Sequence, residues 1–214
     1  MAFDAQTYWR GQHDYYHGQP WMDLPTIFAT QAISYFPPTG RLLDLGAGQG
    51  QDSRYFAAHG YDVISTDISP RALEISQQKA AEQKLVITIQ EVDIGQPLLF
   101  SDGEFDIVYS HLGLHYFDKQ TTQKVFAEIH RVLKPGGVLA TFFNAIDDPE
   151  MAQSQDRKVE DHYFVTTEGL GKAFFSIDYA RELLKGLFEP ILLDGEGAAH
   201  KDELKYVRFI GRAR

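Results

Sequence analysis

Two spacings of apolar residues alternate along this chain. Short apolar runs bounded by turn signals, "RLLDLGA", "YDVISTDIS" and "LVITIQEVDI", have the character of buried strands. Between them lie stretches with a helical period, "QDSRYFAAHG", "SPRALEISQQKAAEQK" and "TTQKVFAEIHRVLKPGG". The local punctuation agrees. Gly60 closes the first of these helices; Ser69 N-caps the second, with Pro70 at its first helical position. Pro135, Gly136 and Gly137 read as the C-cap of the third. "FDIVYSHLGLHYF" is a fourth strand that runs out into a loop, and "GVLATFFNAI" is a fifth. Upstream, Ile27, Ala32, Ile33 and Phe36 fall at roughly helical spacing until "PPTG" stops them, and the segment to about Trp21 shows no strong period. Downstream, 147–167 is polar and without clear period, "SIDYARELLKGLF" is a helix with Ser176 as N-cap, and "PILLDGEGA" and "LKYVRFIGRAR" are strands.

Strand–helix alternation predicts βαβ units. The expected fold is α/β, a Rossmann-like, mostly parallel seven-stranded sheet with helices on both faces. The last two strands are joined only by "EGAAHKDE", too short for a parallel crossover, so an antiparallel last strand is expected. No repeat or composition break divides residues 1–214, which read as one domain with 1–23 and 147–167 as appendages.

Composition narrows the partners. The net charge is −10, with Lys and Arg scattered, so a nucleic-acid partner is not expected and small neutral or cationic molecules fit better. There is no cysteine, which removes disulfides, thiolate metal sites and cysteine nucleophiles, and no metal site is expected. The N-terminus carries no basic and apolar signal regions, and no run of about 18 apolar residues occurs, so the expected setting is cytoplasmic with no membrane partner. "KDEL" at Lys201–Leu204 is internal and is not read as a retention signal.

The chemistry concentrates in "LLDLGAGQGQDS", Leu42–Ser53, where a buried strand breaks into a bare backbone turn. A phosphate-binding P-loop needs a longer loop and a Lys-Ser/Thr pair, which are missing. A dinucleotide fingerprint needs its third glycine where Gln51 stands. Asp44, Asp67 and Asp93 fall at three successive strand ends. Each alone is most often a turn or helix cap. Together they suit a ligand with an adenosine and a positive charge but no phosphate, such as S-adenosylmethionine.

With these motifs the chain resembles the class I S-adenosylmethionine-dependent methyltransferases. "LLDLGAGQG", "VISTDIS", "EVDI", "FDIVYSHLGLHYF" and "EIHRVLKPGGVLATFF" match five of that family's motifs in order, over about residues 24–146. "GAGQGQDSRYFAAHGYDV" is also similar to the tellurite-resistance, small-molecule branch. The resemblance implies S-adenosyl-L-methionine as cofactor and a small-molecule methyl acceptor. It implies that Gly46, Ala47, Gly48 and Gly50 form the wall against the methionine part, with Asp44 near the ammonium. It puts Asp67 on the ribose hydroxyls, Ile68 and Ile94 beside adenine, Asp93 on the adenine amino group, and Ser110 below the methionine end. The loop "SHLGLHYF" lacks the Asn/Asp-Pro-Pro-aromatic signature of the family's base and glutamine methyltransferases, which argues against those substrates.

Methyl transfer to a hydroxyl or ammonium also needs a base near the acceptor's proton. His115 is the first candidate, with pocket shaping or capping of the helix at Thr121 as its other reading; His111, nearer the strand, is the second, with structural packing as its other reading. The aromatics Tyr8, Trp9, Tyr15, Tyr16 and Trp21 read as core packing or as a lid, residues 1–23, over the site. Within 147–167, "EDHYF" (Glu160–Phe164) reads as a solvated loop or as part of the acceptor pocket. A protein that binds this donor or its demethylated product without catalysis is the alternative. A nicotinamide oxidoreductase is disfavoured by the glycine spacing.

Overall fold

A computed structural model of the chain describes residues 3–153, 157–166, 168–197 and 205–214. In chain order the elements are α1 (Ala5–Tyr16), α2 (Ile27–Ala32), β1 (Arg41–Leu45), α3 (Gln51–Ala58), β2 (Asp62–Asp67), α4 (Pro70–Glu82), β3 (Thr88–Glu91), β4 (Phe105–His111), α5 (Lys119–Val132) and β5 (Leu133–Asn144). There follow α6 (Pro149–Gln153), β6 (Lys158–Glu160), β7 (Tyr163–Val165), β8 (Gly171–Ala173), α7 (Ile177–Leu184), β9 (Phe188–Asp194) and β10 (Tyr206–Ala213). Seven strands form one sheet in the order β3-β2-β1-β4-β5-β10-β9. The first five pair in parallel, and β10 runs antiparallel to both β5 and β9. The expected antiparallel last strand is present, inserted between β5 and β9.

Both faces of the sheet are covered, which is why its strands are apolar almost throughout. Successive residues of a strand point to opposite faces. Leu43 and Leu45 of β1 pack with Val108, Leu139 and Phe143 against Phe126 and Ile129 of α5 and Leu183 of α7. Leu42 joins Val63, Ile107 and Tyr109 on the other face, against Phe28 of α2 and Phe56 of α3. The helix starts read from sequence are made by side chains: Ser69 Oγ accepts from Ala72 N at 3.4 Å, and Ser176 Oγ from Tyr179 N at 3.0 Å.

The Pro-Gly-Gly reading is corrected. Helix α5 ends at Val132 and the chain enters β5 at Leu133, so Gly136 and Gly137 lie within the strand. The pairing with β4 shifts register there, and a Cβ on Gly137 would stand 2.9 Å from Lys134 O. A bulge requires these glycines, not a helix cap: Gly137 for its close approach to backbone and Gly136 for its φ of +76°. Two other segments carry structure beyond their pattern. The N-terminal segment holds α1, N-capped by Asp4, and the polar stretch from 147 holds α6 and part of an antiparallel sheet, β6-β7-β8. The Lys201–Leu204 tetrapeptide lies outside the described residues. No helix among the described residues is long and apolar enough to cross a membrane.

Candidate active site

A cavity of about 1050 Å³ opens where β1, β2 and β4 end, roofed by α1 and by β7 and β8. This is the usual ligand position in an open α/β sheet, beyond the carboxyl ends of the strands. The turn after β1 forms its floor. Gly46 and Gly48 hold φ of +70° and +55°, a left-handed backbone that other residues adopt only with strain. The turn is held from behind: Ala47 N donates to Thr66 O at 2.7 Å, and Gly48 N donates to Asp67 Oδ2 at 2.9 Å.

Asp44, Gly46, Ala47, Gly48, Asp67, Ile68, Asp93 and Ile94 all line this cavity, as their sequence positions suggested. Asp93 does so from two residues beyond the end of β3. Asp67 is both a cap and a wall residue: its Oδ1 accepts from Ser69 N at 2.9 Å. Burial raises its carboxyl, opposed by nearby His13 and the backbone N–H groups. Asp44 accepts from Ser53 Oγ at 2.6 Å; burial, and then the neighbouring Asp52 charge, push it well above the usual carboxylate range. Asp52 in turn accepts from Thr26 N (2.7 Å), Thr26 Oγ1 (2.8 Å) and Tyr109 OH (2.7 Å), which ties the start of α2 to α3 behind the turn.

Two expected residues are off the wall, and a third, Ser110, lies below it as its position suggested. Gly50 is not on the wall. It N-caps α3 at φ +70°, and a Cβ there would stand 2.1 Å from Ser76 Oγ, so its bareness serves the packing of α3 against α4. Ser110 is buried beneath the floor and donates to Leu45 O at 2.7 Å. His115 is 1% exposed and also off the wall, and neither ring nitrogen has a hydrogen-bond partner. A base must reach the acceptor's proton, and this imidazole does not. Burial, then the charges of Lys172 and His111, hold it well below its ordinary value and therefore neutral. Nor does it cap α5, whose first turn is capped by Asp118 Oδ1 accepting from Thr121 N at 2.7 Å. His111 does line the cavity, with its ring stacked face to face on Phe142 at 5.0 Å.

Helix α1 carries the aromatics read as packing or as a lid, and adds Gln12 and His13, which the sequence did not single out. Ala5, Tyr8, Trp9, Gln12 and Tyr16 line the cavity at helical spacing. His13, from the same helix, stands over the turn, its Cε1 3.1 Å from where a Cβ on Gly48 would be. Gln49 Nε2 donates to His13 O at 2.9 Å. His13 Nδ1, Gln49 Oε1 and Gln51 Oε1 are buried at the cavity wall without a hydrogen-bond partner. Buried polar atoms are seldom left unpaired, so three of them beside one bare turn mark a place for a polar ligand.

The opposite half of the cavity is aromatic. Trp9 meets Tyr8 and Tyr116 edge to face at 5.2 and 5.0 Å, and Tyr16 meets Trp21 at 5.5 Å. Burial, then Glu168, pushes the Tyr8 phenol up to about 12, and burial also raises Tyr16 and Tyr116. All three stay protonated at neutral pH. Lys172 Nζ pairs with Glu150 at 2.5 Å. From "EDHYF", Tyr163 is on the wall, whereas Glu160 accepts from Lys119 N at 2.6 Å outside it. Among the described residues of the wall, carboxylates outnumber cationic side chains six to two. No group of three His, Asp or Glu among the described residues is placed to hold a metal ion.

Comparison with known proteins follows the same outline. A family profile described as a methyltransferase domain matches residues 43–141. A malonyl-[acyl-carrier protein] O-methyltransferase of Enterobacter lignolyticus is 32% identical over 186 residues, 81% of this chain and 71% of that protein. Of several other curated relatives the chain spans less than half, 40% to 46% of their length. Among solved structures, a Burkholderia thailandensis 1,6-didemethyltoxoflavin-N1-methyltransferase with S-adenosylhomocysteine has a TM-score of 0.75 at 18% identity, over 97% of this chain and 84% of that one. TehB from Haemophilus influenzae has a TM-score of 0.67 at 20% identity, over 87% and 61%. At such identities the structures establish the fold; the chemistry must come from the site itself.

Proposed function

The chain belongs to the class I S-adenosylmethionine-dependent methyltransferases, and from that premise we propose that it methylates a small molecule held between α1 and the strand ends. The observation that carries this reading is the set of unpartnered atoms, His13 Nδ1, Gln49 Oε1 and Gln51 Oε1, around a turn bare of side chains and flanked by Asp44, Asp67 and Asp93. Those residues fit the donor. The backbone of Gly46, Ala47 and Gly48 would face its methionine part, with Asp44 at the ammonium. Asp67 would accept from the ribose hydroxyls, Ile68 and Ile94 would pack beside adenine, and Asp93 would accept from its amino group.

When bound, the donor supplies a methyl group on a sulfonium, already activated for in-line displacement. The protein's share is then positioning and exclusion of water. Residues 1–23 serve as the lid, because α1 forms the roof of the cavity, and the whole chain works as one catalytic domain. His111, at the end of β4 and on the wall, takes the acceptor's proton on its imidazole. The acceptor lies in the aromatic half, walled in part by Tyr163. The enzyme works in the cytoplasm on a small molecule, with neither a nucleic-acid nor a membrane partner, a setting that its net charge of −10 favours.

Purified protein incubated with S-adenosylmethionine and a metabolite extract tests the reading. S-Adenosylhomocysteine is expected to accumulate with time and enzyme. Donor binding with no turnover in any extract would leave a donor-binding protein instead of an enzyme.

A further inference from the structure

The aromatic half of the cavity has a chemistry of its own. Tyr8, Trp9, Tyr16, Trp21 and Tyr116 gather around one space, drawn from α1, the turn after it and the loop after β4. We propose that the methyl acceptor is an amine that enters as an ammonium ion, recognised by these ring faces, with Glu168 beside them. The inference rests on the methyltransferase reading above and names its substrate class.

Three classes of acceptor separate on the features of this wall. An anion would need a free cation, and the largely buried ammonium of Lys172 is already engaged by Glu150 at 2.5 Å, with Glu168 on the same wall. Recruiting Lys172 for an anionic acceptor would break that pair. A neutral ring would gain stacking and nothing from the charge. A cation gains from both, because indole and phenol faces carry negative quadrupole density and attract it. The phenols remain protonated and neutral, so they present rings and hydroxyls without adding charge. Lys172 is taken up by Glu150, and of the remaining charged residues in this half, Glu168 stands near enough to Tyr8 to raise its phenol, with Arg157 exposed at the rim.

The transfer balances simply. The ammonium gives one proton to the imidazole of His111. The freed nitrogen lone pair then forms the new N–C bond as the S–C bond breaks, its electron pair remaining on sulfur as a thioether. The methylated nitrogen is again a cation, and the proton on His111 passes to water.

Calorimetry on protein saturated with S-adenosylhomocysteine tests this with three probes of one shape. They are choline, the uncharged analogue in which carbon replaces its nitrogen, and the tert-butylacetate anion. Choline is expected to bind at least about 10-fold more tightly than the uncharged analogue, with the anion weakest. In Trp9→Leu, choline should weaken roughly 2- to 30-fold while the uncharged analogue changes less; Trp9→Phe, which keeps the packing, should give a smaller loss in the same direction. In Glu150→Gln, which frees Lys172, choline should weaken and the anion should gain. Equal binding of choline and its uncharged analogue, tightest binding of the anion, or no binding of choline at about 10 mM overturns the amine assignment. Failure of S-adenosylhomocysteine to bind at all would instead overturn the methyltransferase reading beneath it.

Discussion

Asp67→Asn separates the two duties of one carboxylate. In the native protein Oδ1 accepts from Ser69 N and Oδ2 from Gly48 N, both at 2.9 Å. An asparagine placed with its oxygen toward Ser69 keeps the first bond. Its amide N–H₂ then faces the Gly48 N–H, donor against donor, and the second bond is lost. A hydrogen bond to a charged group contributes about 1.5–3 kcal/mol. In a chain of this size each kcal/mol is about 2–4 °C in Tm, so melting should fall by roughly 3–12 °C. The ribose is affected separately. Replacing the carboxylate weakens acceptance from its hydroxyls by one charge-assisted bond or more, which is about 10- to 150-fold in Kd. Melting curves and calorimetry with S-adenosylhomocysteine on the same preparation, at a temperature where the variant is folded, measure both. A variant that melts lower yet binds within threefold of the native protein would refute the ribose role and leave Asp67 as a cap.

Other residues give sharper contrasts. Gly50→Ala forces an L-residue into φ +70° and a Cβ to 2.1 Å from Ser76 Oγ; a loss of about 2–4 kcal/mol is expected, with Kd for S-adenosylhomocysteine nearly unchanged on folded protein. A large loss of affinity with native stability would return Gly50 to the ligand wall. His111→Gln should lower turnover by about 10²–10⁴-fold with donor affinity retained; near-native turnover would remove it as the base. His115 is held neutral when folded, whereas the unfolded chain takes up its proton below about pH 6.5. Its contribution to stability is therefore full above that pH and declines below it, by up to about 1.4 kcal/mol per pH unit. Asp44 and Asp67, raised in the fold, act in the opposite sense as pH falls, so the imidazole's share is read as the difference between native protein and His115→Leu in denaturant midpoints from pH 7 to 5. A difference that does not change with pH contradicts the buried, neutral assignment.

The features legible in the sequence are those whose cause is local. Ser69 and Ser176 cap the helices that begin beside them, and the glycine turn after β1 is a backbone requirement written within five residues. The sheet was legible because short apolar runs, buried on both faces, are bounded by turn residues and alternate with helical periods. Helix α1 was not. Its aromatics Tyr8, Trp9 and Tyr16 stand out in composition, but Gln12 and His13 complete the inward stripe as polar residues, which blurs its helical period. The three-residue strands of β6, β7 and β8 are too short to show alternation. Gly50 and His115 stand off the wall for one reason: what decides them is contact with Ser76 and with the buried surroundings of β8, both distant in sequence. A motif names the residues of a turn, and only the packing around it tells which of them meet the ligand.

The most direct test of the central claim is a calorimetric titration of the unmodified protein with S-adenosylmethionine, S-adenosylhomocysteine and NAD. The bare turn, the three strand-end carboxylates and the unpartnered atoms of His13, Gln49 and Gln51 predict tight, one-to-one binding of the first two and weak binding of NAD. Tighter binding of NAD than of S-adenosylmethionine, or no binding of S-adenosylmethionine, would contradict the account.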